Sequence, residues 1–266
     1  NSALQAVALA KGLGRELRGP VTLLVTSDEE QGSRTSRGLI EGLSLEHQRV
    51  LVVEPARDDG ALKVGRKGVG GFEVAFSGRS AHAGNSPESG ASALRELAHF
   101  LFYAEDLSSL ERGTSVNLTV ARGGSVSNVI AEVAAASLDF RALSAGEAER
   151  VVEALGRYEP RDGRVQVRVT GGLNRPPLEL TPANKALFDD AVACGAAMDL
   201  NVTGAVVGGG SDGNFSSALG VATLDGMGAV GEGPHARHEH IRISQTLDRL
   251  ALLTAMLSQH GSKPML

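Results

Sequence analysis

The apolar positions follow two kinds of pattern, and the change between them divides the chain. In the first part, short continuous runs alternate with helical spacing. NSALQAVALAKGLGREL at the start is amphipathic, VTLLV (21–25) is a short apolar run, 36–43 is helical again, and VLVV (50–53) is a second run. Continuous β-branched runs of this length suit parallel strands covered by helices on both faces. From about Gly68 the pattern switches to alternation. GFEVAFSG, TSVNLTVARGG, NVIAEVAAASLDFRAL and RVQVRVTGG each read as a half-exposed strand. Between them lie SPESGASALRELAHFLFYAED and a helix opened by the capping box Ser144-Ala-Gly-Glu147, with Ala148, Val151, Val152 and Leu155 on one face.

That order, β-α-β-β-α-β, describes a small ferredoxin-like domain. After about Asn174 the first pattern resumes. A helix over 182–198 is followed by the glycine-rich turn VGGGSDGN, a strand VATLDG, the loop MGAVGEGPHARHEH and a last helix. Ile243, Leu247, Leu250, Ala251 and Leu257 form the stripe expected to face the core in that helix. The expected fold is therefore α/β, with residues 1–67 and 174–266 forming one domain and 68–173 inserted into it.

Composition narrows the function. Forty-two per cent hydrophobic and 21% charged residues over 266 positions are those of a globular protein with room for a large core. Twenty-six basic and 31 acidic residues give a net charge of -5, and Trp is absent, so no basic face or stacking platform invites nucleic acid. No apolar stretch is long enough to span a bilayer and no signal peptide opens the sequence. The cytoplasm is the expected location, with any targeting information residing in a front that this sequence lacks. The single cysteine, Cys194, excludes an intramolecular disulfide and reads as a small buried residue.

Candidate chemistry gathers where predicted strands end, as it does in open parallel sheets. The first run ends on Asp28-Glu29-Glu30 and the second on Glu54. Such acids are either a solvated turn or the surroundings of a cation. Late in the chain PHARHEH supplies His235, His238 and His240, surface residues or metal ligands by spacing alone. Carboxylates and imidazoles at equivalent strand ends bring the metal reading level with the bland one. GGGSDGN lacks the lysine of a phosphate-binding loop, which leaves backbone donors for a carboxylate or a tight turn. His82, in GRSAHAGNSPESG, is an isolated loop histidine on its own terms.

Together, TSDEEQGS, VVEP, GRSAHAGNSPESGASA, GGSVSNVI, LDFR, GGGSDGN and PHARHE occur in the order seen in the co-catalytic zinc exopeptidases and deacylases. The sequence resembles this family over nearly its whole length. Its members include glutamate carboxypeptidase, acetylornithine deacetylase and succinyl-diaminopimelate desuccinylase. The resemblance implies a zinc-exopeptidase catalytic domain carrying an inserted dimerisation domain, and two zinc ions, with cobalt or manganese as substitutes. It implies that Glu29 is the general base, that Glu30 and His235 ligate one ion, and that Glu54 ligates the other. It gives His82 the role of reaching the partner subunit's site in a homodimer to stabilise the oxyanion. Asn128, Arg141, Arg175 and the Gly209-Gly210 backbone would bind substrate. Arg141 and Arg175 suit a carboxylate clamp and suit surface ion pairs equally.

The activity so implied is hydrolysis of an amide or peptide bond, with a C-terminal amino acid released from an N-acyl or peptide substrate. Deacylation of an acetylated or succinylated amino acid is the nearest alternative. A non-catalytic dimerising or ligand-binding protein is the alternative from another class, because the family's H-x-D segment and bridging aspartate have no counterpart here. No histidine precedes His47, and three of five ligand residues are present. Retention of Glu29, Glu30, Glu54 and His235 leads to the expectation of a carboxy-terminal portion of an enzyme, little active alone, with an uncovered sheet edge.

Overall fold

A computed structural model describes residues 2–258. The chain forms two compact units: one from the chain up to Arg66 together with the chain from Leu178 onward, the other from Lys67–Pro177.

The first leg of the discontinuous unit holds α1 (Ser2–Gly12), α2 (Arg37–Leu45), β1 (Arg49–Leu51) and β2 (Leu62–Arg66). In the inserted unit the elements are β3 (Gly68–Ser77), α3 (Ala93–Glu105), β4 (Ser115–Gly123), β5 (Val133–Ala142), α4 (Ala145–Gly156) and β6 (Gln166–Arg175). The return leg adds α5 (Pro182–Ala196), β7 (Gly204–Val207), α6 (Gly213–Ala218), β8 (Ala222–Leu224), the short pair β9 (Gly231–Glu232) and β10 (His240–Ile241), and α7 (Ile243–Leu257).

In the inserted unit the expected β-α-β-β-α-β order is present, and its sheet runs β4-β5-β3-β6, antiparallel throughout. Alternation in β3 and β5 buries every second side chain, including Phe72, Val74, Phe76, Ala136, Leu138 and Phe140. These meet Leu97 and Phe100 of α3 and Val151 and Leu155 of α4. Phe100 lies edge-on to Phe76 at 5.6 Å and to Tyr158 at 4.9 Å, the perpendicular arrangement that aromatic quadrupoles favour. Ser144 caps α4 by accepting from the Glu147 N–H at 3.4 Å, as the capping box predicts.

Glu147 itself ties α4 to the segment before β4. Its carboxylate accepts from Arg150 at 2.7 Å and from the buried Thr114 hydroxyl at 2.8 Å, with Arg112 at 3.3 Å. Arg150, Thr114 and Arg112 together hold its pKa down to about 2. A depressed carboxylate stabilises the fold above its unfolded pKa, and that stability is lost as pH falls through the folded value. Glu147→Gln should therefore cost about 1 kcal/mol at pH 7, a screened surface-network figure. The difference from wild type should shrink on acidification from pH 5 to pH 2. Urea melts across that range test it, and a constant difference would show that the carboxylate's charge contributes nothing.

In the discontinuous unit β1 pairs with β8 and β2 with β7, both parallel, and an isolated bridge links Lys63 to Asp225. The core comprises Ala6, Leu62, Val64, Leu187, Ala191, Leu224, Met227, Leu252, Leu253 and Met256. Cys194 is buried there and burial pushes its thiol pKa up, as befits a small apolar residue.

Two sequence expectations are corrected, and two strands went unread. The run at 21–25 forms no regular element and pairs with no strand among the described residues, and Val25 is 80% exposed. Its apolar character signals burial, yet of its five residues Leu24 alone is partly buried among the described residues. In α7 the expected stripe divides: Ile243 and Leu247 are exposed, Leu250 and Leu257 pack against the core, and the fully buried positions are Leu252, Leu253, Thr254 and Met256. Strands β2 and β7 escaped sequence reading because Lys63, Gly65 and Gly204 interrupt their apolar patterns. No helix among the described residues is long and apolar enough to cross a membrane.

Candidate active site

The segment after 21–25 folds into a tight turn at Glu29–Gln31. The three acids take different surroundings there. Asp28 turns back on its own loop, accepting from the Thr35 N–H at 2.8 Å and the Thr35 hydroxyl at 2.7 Å. The hydroxyls of Ser36 and Thr35 beside it hold its carboxyl well below the usual carboxylate range. Glu29 is half-buried and Glu30 exposed. Gly32 and Ser33, with φ of 86° and 54°, turn the chain through the left-handed region. The buried Ser33 hydroxyl donates to Asp212, whose carboxylate also accepts from Thr26 at 3.2 Å. The acidic loop is thereby tied to the glycine turn 208–214, although 179 residues separate Ser33 from Asp212.

The histidine segment is the hairpin loop between β9 and β10. His235 takes φ 63°, and its Nε2 lies 3.9 Å from Glu30 Oε1. His240 Nδ1 contacts the His238 carbonyl at 3.0 Å. Of the three histidines, His235 is the one the fold sets beside Glu30.

Glu54 follows β1. The loop before the hairpin closes on it: Gly228 N–H donates to the Glu54 carbonyl at 2.9 Å, and a Cβ at Gly228 would stand 2.7 Å from that oxygen. Only glycine permits this approach. Burial raises the Glu54 pKa, and Asp225 and Glu30 repel its charge, against attraction from Arg66 and Lys63. Burial in turn lowers the Lys63 pKa.

The glycine turn is held from below by residues that sequence reading passed over. Arg66 forms a side-on pair with Asp225, Nε to Oδ2 at 2.7 Å and a terminal nitrogen to Oδ1 at 3.1 Å. Its other nitrogen donates to the carbonyls of Gly209 and Gly210, each at 3.0 Å. Both partners are almost fully buried. A lone aspartate within VATLDG and an arginine ending LKVGR were the available signals, and neither identifies a partner.

The remaining candidates lie in the inserted unit. His82 is exposed, and its Nδ1 accepts from the N–H groups of Gly84 and Asn85, both at 3.1 Å. That assigns the neutral ring's proton to Nε2, leaving a donor available. His82 bridges Val129, and the Asn128 carbonyl accepts from the Ala83 N–H at 2.9 Å, so these two segments run side by side. Arg141 and Arg175 are both register partners of Val69, on the strands either side of β3. Arg141 is engaged by Asp139 through two bonds of 2.9 Å. Arg175 is buried.

Glu30 and His235 are good donors for a borderline divalent ion. Among the described residues, however, no three His, Cys, Asp or Glu side chains come together. Two donors flank an ion without enclosing it, so the residues present do not by themselves make a complete metal centre.

Residues 64–158 match the family described as peptidase dimerisation domain, M20_dimer. The chain is 28% identical over 269 residues to carboxypeptidase G2 of Pseudomonas sp. (strain RS-16), covering 97% of this chain and 64% of that protein. It is 30% identical over 268 residues to succinyl-diaminopimelate desuccinylase of Alkalilimnicola ehrlichii, covering 89% of this chain and 66% of that protein. The chain thus spans just under two thirds of the length of either relative. Among solved structures, a Bacillus subtilis protein described as a dinuclear metal binding peptidase from the M20 family shares the fold. Its TM-score is 0.72 at 16% identity, covering 96% of this chain and 69% of that one.

Proposed function

The chain belongs to the M20 peptidase family, and on that premise we propose that the protein hydrolyses the amide bond of an N-acyl amino acid or short peptide, releasing a C-terminal amino acid as a glutamate carboxypeptidase does. The observation that carries this reading is the meeting of Glu30 with His235 beside Glu29, from motifs some two hundred positions apart. A solvated acidic turn needs no such histidine.

The roles follow from the chemistry of each group. Glu29 takes the proton of the attacking water and passes it to the leaving amine. Glu30 with His235, and separately Glu54, would each hold a divalent ion, zinc first and cobalt or manganese as substitutes, with further ligands that this sequence does not supply. The chemistry supplied there would be polarisation of the scissile carbonyl and a lowered water pKa. His82 donates from Nε2 to the oxyanion of the partner subunit's substrate in a homodimer built on the inserted unit, 68–173 by sequence pattern. Asn128, Arg141 and Arg175 bind the substrate's carboxylate or carbonyl, and the Gly209-Gly210 backbone lines the pocket. Arg141 must release Asp139 to do so.

The test is amine release by the protein at its natural length from N-acyl-glutamate, N-acetylornithine and N-succinyl-diaminopimelate, with and without chelator. Preference for the acylated glutamate, abolished by chelation, is the expected result. Preference for either of the others identifies a deacylase, and hydrolysis of none supports the non-catalytic alternative. For the 266-residue chain alone, elemental analysis after dialysis should find less than one ion per chain. Two tightly held ions would show that its own side chains suffice.

A further inference from the structure

Next to the glycine turn stands the buried Arg66–Asp225 ion pair, with Arg66 donating to the Gly209 and Gly210 carbonyls. Burying such a pair is costly, and it stabilises only when nearly every donor and acceptor is used. Here they are used on the turn. Asp225 Oδ2 accepts from Arg66 Nε and from the Ser211 hydroxyl at 2.5 Å. Asp225 Oδ1 accepts from Arg66 and from the Gly226 N–H at 2.5 Å. Ser211 Oγ in turn accepts from the Gly213 N–H at 3.1 Å, and the Asn214 side chain accepts from the Ser211 N–H at 2.9 Å.

We propose that Arg66 and Asp225 are positioning residues that set the backbone of the 209–211 turn for substrate binding. Two features argue for positioning over generic stability. First, one Arg66 nitrogen spans consecutive carbonyls, Gly209 and Gly210, which fixes both peptide planes. Three glycines in succession (208–210) have wide backbone freedom, so their conformation must be imposed from outside. Second, the same aspartate reaches the turn through Ser211 and the strand end through Gly226, so one carboxylate coordinates two segments. A Cβ at Gly213 would sit 3.2 Å from Asp225 Oδ2 and 2.8 Å from Val52, so the turn is seated tightly. A lysine at position 66 keeps the charge yet cannot fork between a carboxylate and two carbonyls.

The inference rests on the reading that the Gly209-Gly210 backbone lines the substrate pocket, and its test separates the two. Arg66→Lys, Asp225→Asn and the milder Ser211→Ala are made in the protein at its natural length. Amide hydrogen exchange should quicken about tenfold or more at 209–214 in each, with exchange in the β3–β6 sheet unchanged. On the substrate identified above, KM should rise about tenfold while kcat changes less than about threefold, the mark of lost ground-state positioning. Ser211→Ala, which leaves no unpaired buried charge, covers the case in which a charge variant fails to fold. Unchanged exchange at 209–214 in Ser211→Ala, or a fall in kcat with KM constant, overturns the proposal. If the wild type hydrolyses nothing, the functional reading fails, and the exchange result alone decides whether the pair holds the turn.

Discussion

Glu29→Gln is expected to lower kcat about 1,000-fold on the preferred N-acyl substrate while KM moves less than about threefold. Glutamine keeps the size and polarity of the side chain and cannot accept the proton of the attacking water. A proton transfer lost from the transition state alone depresses kcat and kcat/KM together, here by about 4 kcal/mol. Asp28 holds the loop through Thr35, and Glu30 meets His235. Glu30→Gln should instead lower metal content, measured by elemental analysis alongside the kinetics. If Glu29→Gln keeps more than a tenth of wild-type kcat, Glu29 is not the base.

The largest stability effect is expected at Gly171 in β6. Its φ of +129° is a conformation L side chains rarely adopt, and an added Cβ would lie 2.2 Å from the Gly71 carbonyl oxygen and 2.8 Å from the Phe72 Cα. Both obstacles are backbone, so neither can rotate away. Phe72 pairs with Gly171 and projects into the core of the inserted unit, so relief must separate β6 from β3. Gly171→Ala should cost roughly 3 kcal/mol or more. Gly156→Ala, at the end of α4 with nothing within 4 Å of its Cβ, should be neutral or stabilise by up to about 1 kcal/mol. Paired denaturant melts measure both. Equal midpoints would mean that the β3–β6 register yields more easily than its geometry implies.

What could be read without a structure depended on how local the signal was. The inserted unit was legible because its strands alternate cleanly and its second helix carries its own cap at Ser144, so each element declares itself within a dozen positions. The acidic turn, Glu54 and the histidine loop were legible as motifs, and the resemblance, where spacing alone was silent, named His235 as the partner of Glu30. The hairpin between β9 and β10 decides for His235. At 21–25 the apolar run was read as a buried strand and is an unpaired segment, mostly exposed, among the described residues. Hydrophobicity records that a segment is to be covered and is silent on what covers it.

From sequence alone came the α/β class, the insertion of a ferredoxin-like unit and the candidate site residues, because periodicity, caps and short motifs are properties of neighbouring positions. Tertiary structure alone decided that Asp28 serves its own loop, that Asp212 joins that loop to the glycine turn, and that Arg66 and Asp225 form one buried pair. Those partners lie as many as 186 positions apart. No local pattern encodes such pairings; for Arg66 and Asp225 the pairing follows from β2 and the end of β8 bringing two distant charges into one desolvated place, where each must find a partner or be absent.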